Sequence, residues 1–347
     1  MKSKILVIGP SSTHVARFIC LVNDLFDEVV YIGEAKLETN VSIRQHLINF
    51  RSRNPFNIWK NFRKLKQIIE TENPDFTHIQ QVNRVAFMAS RILGSAKRKH
   101  AVTAWGSDVL VIPEKSIFYK KMTQRVLDHA SFITADSADM ISVISKLTDN
   151  KNCHLVFLGI DPIQSLPKEK IIFSNRALYE LYNINGVILE FNEFQKSNPD
   201  WKLVIAGVGD KSDRLKMLVD DLKLNEKIEF VGWLDAEKNN DYYRRSAIYI
   251  SLPTSDGTSV SLLEAMSAGC IPVVSDLPVA HEWIDSGKNG IIKIKSKNAI
   301  IEAVKLNPEA VEKINRALIE RCATGKTATE KFKSIYDKLK DDPDDKK

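Results

Sequence analysis

Short apolar runs alternate along the whole chain with longer segments whose apolar residues recur at helical spacing. This alternation predicts parallel strands with helices on both faces of each sheet. In the first half of the chain the predicted strands are Lys4–Ile8, Val29–Ile32, Phe76–Gln80, Ala101–Ala104, Phe132–Ala135 and His154–Leu158. In the second half they are Lys170–Phe173, Leu203–Ala206, Ile228–Val231, Ile248–Leu252, Ile271–Val274 and Gly290–Ile292. The pattern therefore predicts an α/β protein with two doubly wound, Rossmann-like domains.

The clearest of these units lies between Ala247 and Asp276. An apolar run, Ala247–Leu252, is followed by a polar turn and then by apolar residues at helical spacing that end at Gly269. The second apolar run, Ile271–Val274, comes next, so the unit is predicted to be strand, loop, helix and strand. Its loop follows the carboxyl end of the first strand, where open α/β sheets bind their ligands.

Two acids stand eight positions apart in this unit, Asp256 in the loop and Glu264 in the helix. The residues that follow Asp256 are small and polar, namely Gly257, Thr258 and Ser259. Because the first amide N–H groups of a helix favour an anion, we predict that a phosphate binds here. The two acids would then accept hydrogen bonds from the hydroxyls of an attached sugar or ribose.

Two plainer interpretations of the same residues stay open. Asp256 followed by Gly257 is a common turn dipeptide. Ser261 and Glu264 have the spacing of a capping box, in which the glutamate only satisfies a backbone donor at the helix start.

The stretch from Asp256 to Val274, DGTSVSLLEAMSAGCIPVV, resembles the acid-x7-Glu signature of retaining, nucleotide-sugar-dependent glycosyltransferases of family four. The resemblance implies the GT-B fold, in which two Rossmann-like domains face each other across a cleft. Leu158 to Pro162 is similar to the interdomain hinge of these enzymes. It implies an acceptor-binding domain over 1–158, a donor-binding domain over 159–325, and a C-terminal helix over 326–347 that returns to the first domain before a polar tail.

The resemblance also implies roles for single residues. Asp256 would be the catalytic carboxylate, lying against the donor sugar to orient its hydroxyls and stabilise positive charge, although family members usually carry glutamate there. Glu264 would bind the donor ribose. Ser174-Asn175-Arg176 is similar to the segment that places an arginine on the donor diphosphate, but the lysine expected five positions later is Leu181. Val231–Leu234 resembles the segment that contacts the nucleotide base, which implicates Trp233 and Leu234.

The loop after the first strand, Gly9 to Thr13, contains a single glycine and does not match a dinucleotide fingerprint. We assign Gly9, Ser11 and Ser12 to the acceptor side instead. Thr103 to Asp108 is similar to a family loop that reads T-x-H-G-x-D, with Trp105 in place of the histidine. Trp105 is interpreted either as an apolar face for an acceptor sugar or as a packing residue.

Composition narrows the class of protein further. The chain has 347 residues, of which 44% are hydrophobic and 27% charged, as expected for globular domains with ample cores. Its four cysteines and seven histidines show no metal-ligand spacing, so no metal site is predicted. No apolar run is long enough to span a bilayer, and the run Ile5–Ile8 is too short for a signal-peptide core and has no cleavage site, which predicts a cytoplasmic protein.

Residues 39–69 contain seven basic residues and no acid: Arg44, Arg51, Arg53, Lys60, Arg63, Lys64 and Lys66. Ile58, Phe62, Leu65 and Ile69 form one helical face, which predicts a helix packed on the sheet with a basic outer face. That face either is simply solvated or makes peripheral contact with anionic lipid at the inner membrane face. No nucleic-acid-binding module accompanies it, so nucleic acid is not predicted as a partner.

The resemblance to family-four glycosyltransferases, together with the absence of metal-ligand spacing, implies a metal-independent retaining transferase with no cofactor. Its substrates would be a UDP- or GDP-type nucleotide sugar and a hydroxyl of a glycan or lipid-linked acceptor, in the assembly of cell-surface polysaccharide or glycoconjugates. Because Trp105, Leu181 and Asp256 depart from the family pattern, a catalytically weak nucleotide-sugar-binding or regulatory subunit is the alternative, followed by a sugar-nucleotide epimerase. The tail contains Asp342 and Asp344 in a D-x-D, which does not follow a strand and is not predicted to bind metal.

Overall fold

The computed structural model describes residues 3–52, 54–295 and 297–340. Arg53 of the basic run and the D-x-D of the tail lie outside the described residues. The chain forms two units of close contact, one from its start to Leu158 together with the segment from Gly325 onward, and one over Gly159–Thr324.

Within its described residues, the first unit contains a parallel sheet of seven strands. They are β1 (Lys4–Ile8), β2 (Glu28–Gly33), β3 (Arg44–Leu47), β4 (Phe76–Gln80), β5 (His100–Thr103), β6 (Phe132–Ala135) and β7 (Cys153–Leu155). Their order is β3-β2-β1-β4-β5-β6-β7, so β1 and β4 are neighbours at the centre, with Ile5 beside Phe76. The helices between them are α1 (Thr13–Val22), α2 (Pro55–Glu72), α3 (Arg84–Ser95), α4 (Ser107–Leu110), α5 (Ile117–His129) and α6 (Ala138–Leu147).

The described part of the second unit contains a parallel sheet of six strands. They are β8 (Glu169–Ser174), β9 (Lys202–Ala206), β10 (Ile228–Gly232), β11 (Ser246–Ser251), β12 (Ile271–Ser275) and β13 (Ile291–Lys293), in the order β10-β9-β8-β11-β12-β13. The helices are α7 (Ile184–Gln195), α8 (Ser212–Asp221), α9 (Ala236–Arg245), α10 (Val260–Ser267), α11 (Ala280–Trp283), α12 (Ala299–Ala303) and α13 (Pro308–Cys322). Both sheets are covered by helices, which confirms the predicted α/β class.

The last helix, α14 (Gly325–Lys340), belongs to the first unit. Tyr336 is buried, and its hydroxyl forms a 2.5 Å hydrogen bond with Nδ1 of His78 in β4. On the other side of the ring, Nε2 of His78 lies 2.6 Å from the Thr103 hydroxyl. Burial lowers the pKa of His78 to about 3, so the imidazole is neutral at pH 7 and serves as a polar link between helix and sheet.

Two strand predictions need correction. The strand placed at His154–Leu158 is shorter and earlier, at Cys153–Leu155. β3, with the sequence RQHL, was not predicted because it has no apolar alternation. It is an edge strand that pairs with β2, and Arg44 and His46 on it bind the buried carboxylate of Glu72 at 2.8 and 2.7 Å. Polar contacts therefore stabilise this strand where apolar burial does not.

Candidate donor site and acceptor-side loops

The second sheet reverses its strand order between β8 and β11. From β8 the chain adds β9 and β10 on one side and then returns to place β11 on the other. The loops that follow β8 and β11 therefore diverge from neighbouring strand ends, and such switch points are where open α/β sheets bind ligands.

Arg176 follows β8 and Asp256 follows β11, and the two side chains meet at this switch point. Nη2 of Arg176 donates to Oδ2 of Asp256 over 2.7 Å. Nη1 donates to the Ser259 hydroxyl over 2.5 Å, directly at the start of α10. The structure thus brings together the residues predicted for the diphosphate and for the donor sugar.

The surroundings of this pair are nearly closed to solvent, since the Arg176 side chain is 10% exposed and that of Asp256 23%. The ring of Tyr182 lies 4.4 Å below the guanidinium carbon. Burial opposes the charge on Arg176, but Asp256 and neighbouring tyrosines raise its pKa. Burial raises the pKa of Asp256, while the charge and hydrogen bond of Arg176 oppose that rise.

Ser259 is the N-cap of α10, and its hydroxyl accepts from the amide of Leu262. The capping-box interpretation is therefore wrong, because Ser261 lies inside the helix rather than at its cap. Thr258 is buried and its hydroxyl accepts from the indole N–H of Trp283 over 3.2 Å. Its side chain holds the loop in place, and the contribution of Gly257 and Thr258 to an anion site would come from their backbone.

Glu264 is the fifth residue of α10 and is half-buried. Burial raises the pKa of the fully buried Tyr243 hydroxyl, and the charges of Tyr249 and Glu264 add to that rise. That hydroxyl accepts a 2.6 Å hydrogen bond from Nδ2 of Asn175, the residue before Arg176. The positions of Tyr182 and Tyr243 in this site were not predicted from the sequence. The available signals were an aromatic residue soon after Asn175-Arg176, for Tyr182, and an aromatic residue on α9, for Tyr243.

The loops after β9 and β10 complete this edge of the sheet. Gly207 has φ +140°, and a Cβ there would come within 2.4 Å of the Arg176 carbonyl oxygen. The Gly207 amide donates to the Gly232 carbonyl, which positions the next residue, Trp233. Trp233 is 73% exposed and Leu234 is half-buried, so a large aromatic face is presented to solvent next to the glycine loop.

The position of the expected second cation is occupied by an apolar side chain. Leu181 is 37% exposed, and its carbonyl accepts from the Thr254 amide over 2.9 Å, so it lies beside the loop after β11. The nearby Lys211 forms a 3.1 Å ion pair with Glu180 instead.

In the first unit, the loop after β1 lies at the corresponding switch point between β1 and β4. A Cβ on Gly9 would come within 2.8 Å of the Gln80 Cβ, so the loop packs tightly on the end of β4. Ser12 is the N-cap of α1 and accepts from the Val15 amide, while the Ser11 hydroxyl donates to the Lys36 carbonyl over 2.8 Å. Both hydroxyls are therefore used to hold the loop.

Trp105 is half-buried and takes a fixed position in the loop after β5. Its indole N–H donates to Oε1 of Gln80 over 3.1 Å, and its ring lies 5.3 Å from that of His14. Its amide donates to the buried carboxylate of Asp108, as does the Val82 amide. Burial raises the pKa of Asp108 to about 6, and these amide donors oppose the rise. Trp105 therefore packs against neighbouring side chains, while part of its ring stays exposed to solvent.

α2 carries the predicted apolar face, with Leu65 and Ile69 buried and Ile58 and Phe62 packed on the core. Several charges of residues 39–69 are neutralised by acids from elsewhere: Arg44 by Glu28 and Glu72, Arg51 by Glu34, and Lys66 by Glu70. Among the described residues, Lys60 and Arg63 form no ion pair, and Arg63 lies 4.7 Å above the exposed ring of Trp59.

The described part of the chain contains neither a candidate metal cluster nor a candidate membrane span. Within the described ranges, no group of three or more His, Cys, Asp or Glu residues could hold a metal ion. None of the helices in that part of the chain combines the length and the apolar character needed to cross a bilayer.

Two Rossmann-like units, one with an arginine and a helix start at its switch point, are the features that the resemblance to GT-B glycosyltransferases implied. The family model for glycosyl transferases group 1 matches residues 159–319, and the model for glycosyl transferase 4-like domains matches residues 4–137. The chain therefore belongs to the group 1 glycosyltransferases, with a family-four-like first domain.

Relatives and solved structures agree with this assignment. The chain is 26% identical to an uncharacterised glycosyltransferase of Methanocaldococcus jannaschii over 96% of its own length and 95% of that protein. It is 25% identical to an N-acetylgalactosaminyltransferase of Campylobacter jejuni over 78% of its length and 76% of the relative. It spans only 37% of a poly(glycerol-phosphate) α-glucosyltransferase of Bacillus subtilis, at 25% identity over 75% of this chain.

Among solved structures, HepE of Anabaena bound to UDP superposes with a TM-score of 0.81 at 13% identity, covering 96% of this chain and all of the other. Sucrose-phosphate synthase of Thermosynechococcus elongatus superposes with a TM-score of 0.77 at 12% identity, covering 97% of this chain and 99% of the other. These likenesses confirm the GT-B fold.

Proposed function

We propose that the chain is a retaining, metal-independent transferase that moves a hexose-type sugar from a nucleoside diphosphate, of UDP or GDP type, to a hydroxyl of a glycan or lipid-linked acceptor. The observation that carries the proposal is Arg176 held at the switch point against Asp256 and Ser259. The UDP in the HepE structures favours a uridine donor. The poly(glycerol-phosphate) and diphospho-undecaprenol named for two relatives support a role in cell-surface polysaccharide or glycoconjugate assembly.

In this proposal the donor diphosphate lies between Arg176 and the first turn of α10. When the bond from the anomeric carbon to the diphosphate oxygen breaks, its electron pair stays on the diphosphate. A guanidinium with two parallel donors and the amide N–H groups of a helix start both stabilise that charge. Together they supply the positive charge for the leaving group without a metal ion.

The remaining donor contacts follow from the same edge of the sheet. Glu264 on α10 accepts hydrogen bonds from the ribose hydroxyls, and the loop with Trp233 and Leu234 contacts the base. Gly257 and Thr258 offer their backbone to the phosphate. Thr258 keeps its side chain on Trp283 while doing so.

Asp256 acts on the donor sugar and also positions Arg176. Its carboxylate orients sugar hydroxyls and stabilises positive charge as the anomeric carbon loses its leaving group. The acceptor hydroxyl attacks on the same face, its oxygen bonds to the anomeric carbon, and its proton passes to the departing diphosphate oxygen. Retention in this scheme rests on the resemblance of the 256–274 segment to retaining enzymes.

We assign the donor to the domain spanning 159–325 and the acceptor to the domain spanning 1–158, which the helical segment from 326 completes. Gly9, Ser11 and Ser12 shape the acceptor loop after β1. Trp105 offers the exposed part of its ring to an acceptor sugar, and its bond to Gln80 fixes the orientation of that ring.

The test measures slow hydrolysis of UDP- and GDP-sugars without acceptor, with and without EDTA. The wild type should release nucleoside diphosphate at a rate that EDTA leaves unchanged. Asp256→Asn should abolish release, whereas Asp200→Asn, which removes an exposed carboxylate of the same unit, should not. Absence of hydrolysis in the wild type, or equal rates in both variants, would contradict the proposal.

A second candidate is a nucleotide-sugar-binding subunit with little activity. The observation that favours it is the ion pair of Asp256 with Arg176, combined with Leu181 at the site of the missing cation. In this case UDP would raise the melting temperature of the wild type, because a ligand at about 100 times its Kd adds roughly 2.7 kcal/mol. Hydrolysis would stay at background, which separates the two candidates.

Peripheral membrane contact through the basic segment 39–69 is part of the proposal. It depends on Lys60, Arg63 and Lys64 on α2, each worth about 1 kcal/mol near an anionic surface. Sedimentation with anionic and neutral vesicles tests it. Reversal of Arg63 and Lys64 to Glu should abolish the preference for anionic vesicles, and an unchanged preference would exclude electrostatic contact by this segment.

A further inference from the structure

A large groove in the first unit is not explained by the acceptor loops alone. It has a volume of about 1060 Å³ and lies between α2, α3 and the segment that runs from Ser107 into α5. This volume is that of a site for a drug-sized or lipid-sized molecule.

The walls of the groove are apolar. Ile58 and Phe62 of α2 face Phe87 and Met88 of α3 and Met122 of α5 across it. Trp59 and Phe118 extend this surface into solvent with 53% and 70% of their areas exposed. Phe56, three positions before Trp59, and Ile117, directly before Phe118, are exposed to a similar degree. Contiguous exposure of such large apolar side chains is unusual for a surface that contacts only water.

The groove is also cationic. It is lined by Arg84, Arg91 and Lys115, and in the described part of the chain none of the three forms an ion pair with an acid. Arg84 donates to the Phe50 carbonyl, and Arg91 lies 5.9 Å from the Phe87 ring. The lining acid, Asp108, is buried and its carboxylate accepts from the backbone amides of Val82 and Trp105. The unpaired charges at the surface are therefore positive and lie next to apolar walls.

One end of the groove reaches the ligand-binding edge of the sheet. Its lining includes Gln81–Asn83, directly after β4, and Ser107 and Asp108, at the start of α4. A molecule in the groove would therefore extend from the outer helices to the strand ends at which an acceptor is expected.

We propose that this groove binds the hydrocarbon chain of a lipid phosphate, with Arg84 and Arg91 on the phosphate. The proposal rests on the proposed transferase function and selects a lipid-linked acceptor over a free glycan. The apolar walls would remove the hydrocarbon chain from water, which is favourable in proportion to the apolar surface buried. The guanidinium groups match a phosphate in charge and geometry.

The probe is dodecyl phosphate below its critical micelle concentration, with dodecyl maltoside and inorganic phosphate as comparisons. Isothermal titration of the full chain should show one site for dodecyl phosphate, at least tenfold tighter than for either comparison. Arg91→Glu should weaken binding tenfold or more. The matched reversal Lys121→Glu, at an exposed position of α5 outside the groove lining, should change it less than twofold. Ile112→Trp, which fills the groove, should also weaken binding.

Three results would overturn the inference: equal affinity for dodecyl phosphate and dodecyl maltoside, equal effects of Arg91→Glu and Lys121→Glu, or concentration-dependent dimerisation that Ile112→Trp abolishes. Dimerisation of this kind would mean that a second copy of the chain, and not a lipid, occupies the groove. Hydrolysis of UDP-sugar by the wild type is measured in parallel, because it requires no lipid. If hydrolysis occurs and dodecyl phosphate does not bind, the groove proposal fails alone, and if hydrolysis is absent the transferase proposal fails.

Discussion

Arg176 and Asp256 are eighty positions apart in sequence, and their side chains form a 2.7 Å ion pair at the point where the second sheet reverses its strand order. The arginine also donates to Ser259, so two of its donors are already directed at the β11–α10 loop. A guanidinium has five N–H donors, so these two bonds do not exhaust its capacity to bind a phosphate. Asp256 thus fixes the direction in which Arg176 presents its charge.

Arg176→Lys should weaken UDP binding roughly 10- to 100-fold, since a hydrogen bond to a charged group is worth about 1.5–3 kcal/mol. Lysine keeps the charge but has no planar fork, so it cannot contact Asp256, Ser259 and a phosphate together. Titration calorimetry with UDP measures the change. Arg214→Lys, on the exposed side of α8, is the control and should bind as the wild type does. Equal affinity of the two variants would mean that Arg176 does not contact the nucleotide.

Leu181→Lys should strengthen UDP binding by about 1 kcal/mol, or roughly fivefold, because it adds a partly exposed cation beside the loop after β11. Leu189→Lys is matched in residue type and has 44% exposure against 37%, but lies on α7. The comparison uses Kd at low and high salt, since the gain should shrink as salt screens the charge. A gain in both variants would indicate a nonspecific effect of net charge.

Gly207→Ala should disturb the donor site through the backbone. The added Cβ would meet the Arg176 carbonyl oxygen at 2.4 Å, and φ is +140°. Gly287→Ala is the control, because its φ is +88° but nothing lies within 4 Å of its Cβ. Left-handed strain alone costs about 1–2 kcal/mol. We expect the control to lose that much stability with unchanged UDP affinity, and Gly207→Ala to lose more and to bind UDP more weakly.

Equal falls in the melting temperatures of the two alanine variants would contradict this prediction. They would mean that the backbone near Arg176 moves to make room for the added Cβ at no further cost. The site would then be less rigid than the close approach of these loops indicates.

Strand positions could be predicted from the sequence wherever apolar residues run together, as in Phe76–Gln80, whose bounds match β4. The same argument placed the β11–α10 unit, because Gly269 at φ +81° ends the helix as a glycine is expected to. β3 could not be found in this way, since its four residues are stabilised by Glu72, which lies far along the chain at the end of α2.

Site residues could be predicted from the sequence within one loop, but contacts between residues of different loops could not. Ser259 and Asp256 were identified from local spacing, but their joint contact with Arg176 depends on the order of β8 and β11 in the sheet. The groove of the first unit could not be predicted either. Phe87, Phe118 and Ile58 come from three helices, and no local pattern in the sequence shows that they face one another.

Glu72 makes the stability of the first unit depend on acid pH. Its side chain is 5% exposed and binds Lys4, Arg44 and His46 at 3.2, 2.8 and 2.7 Å. Burial alone would raise its pKa, but the hydrogen bonds from these three partners lower the pKa to about 2 from a usual 4.5. The unfolded chain therefore binds the proton more readily than the folded chain between these two values. Stability from this group is complete above pH 4.5 and is lost as the pH falls towards 2.

The difference of about 2.5 pKa units corresponds to roughly 3 kcal/mol of unfolding free energy. Urea unfolding at pH 7 and at pH 3.5 should show about 1.4 kcal/mol of this loss, less than half of the total, because pH 3.5 lies only about one unit below the pKa of the unfolded chain. Glu72→Gln should be less stable than the wild type at pH 7, because three donors lose a charged partner, and its stability should fall less between the two pH values. Glu70→Gln, an exposed neighbour paired only with Lys66, should follow the wild type at both. If Glu72→Gln lost as much stability as the wild type on acidification, the Glu72 carboxylate would not be the group that titrates. His78 would then be the next residue to replace, because its protonation also lowers stability as the pH falls from 6.5 to about 3.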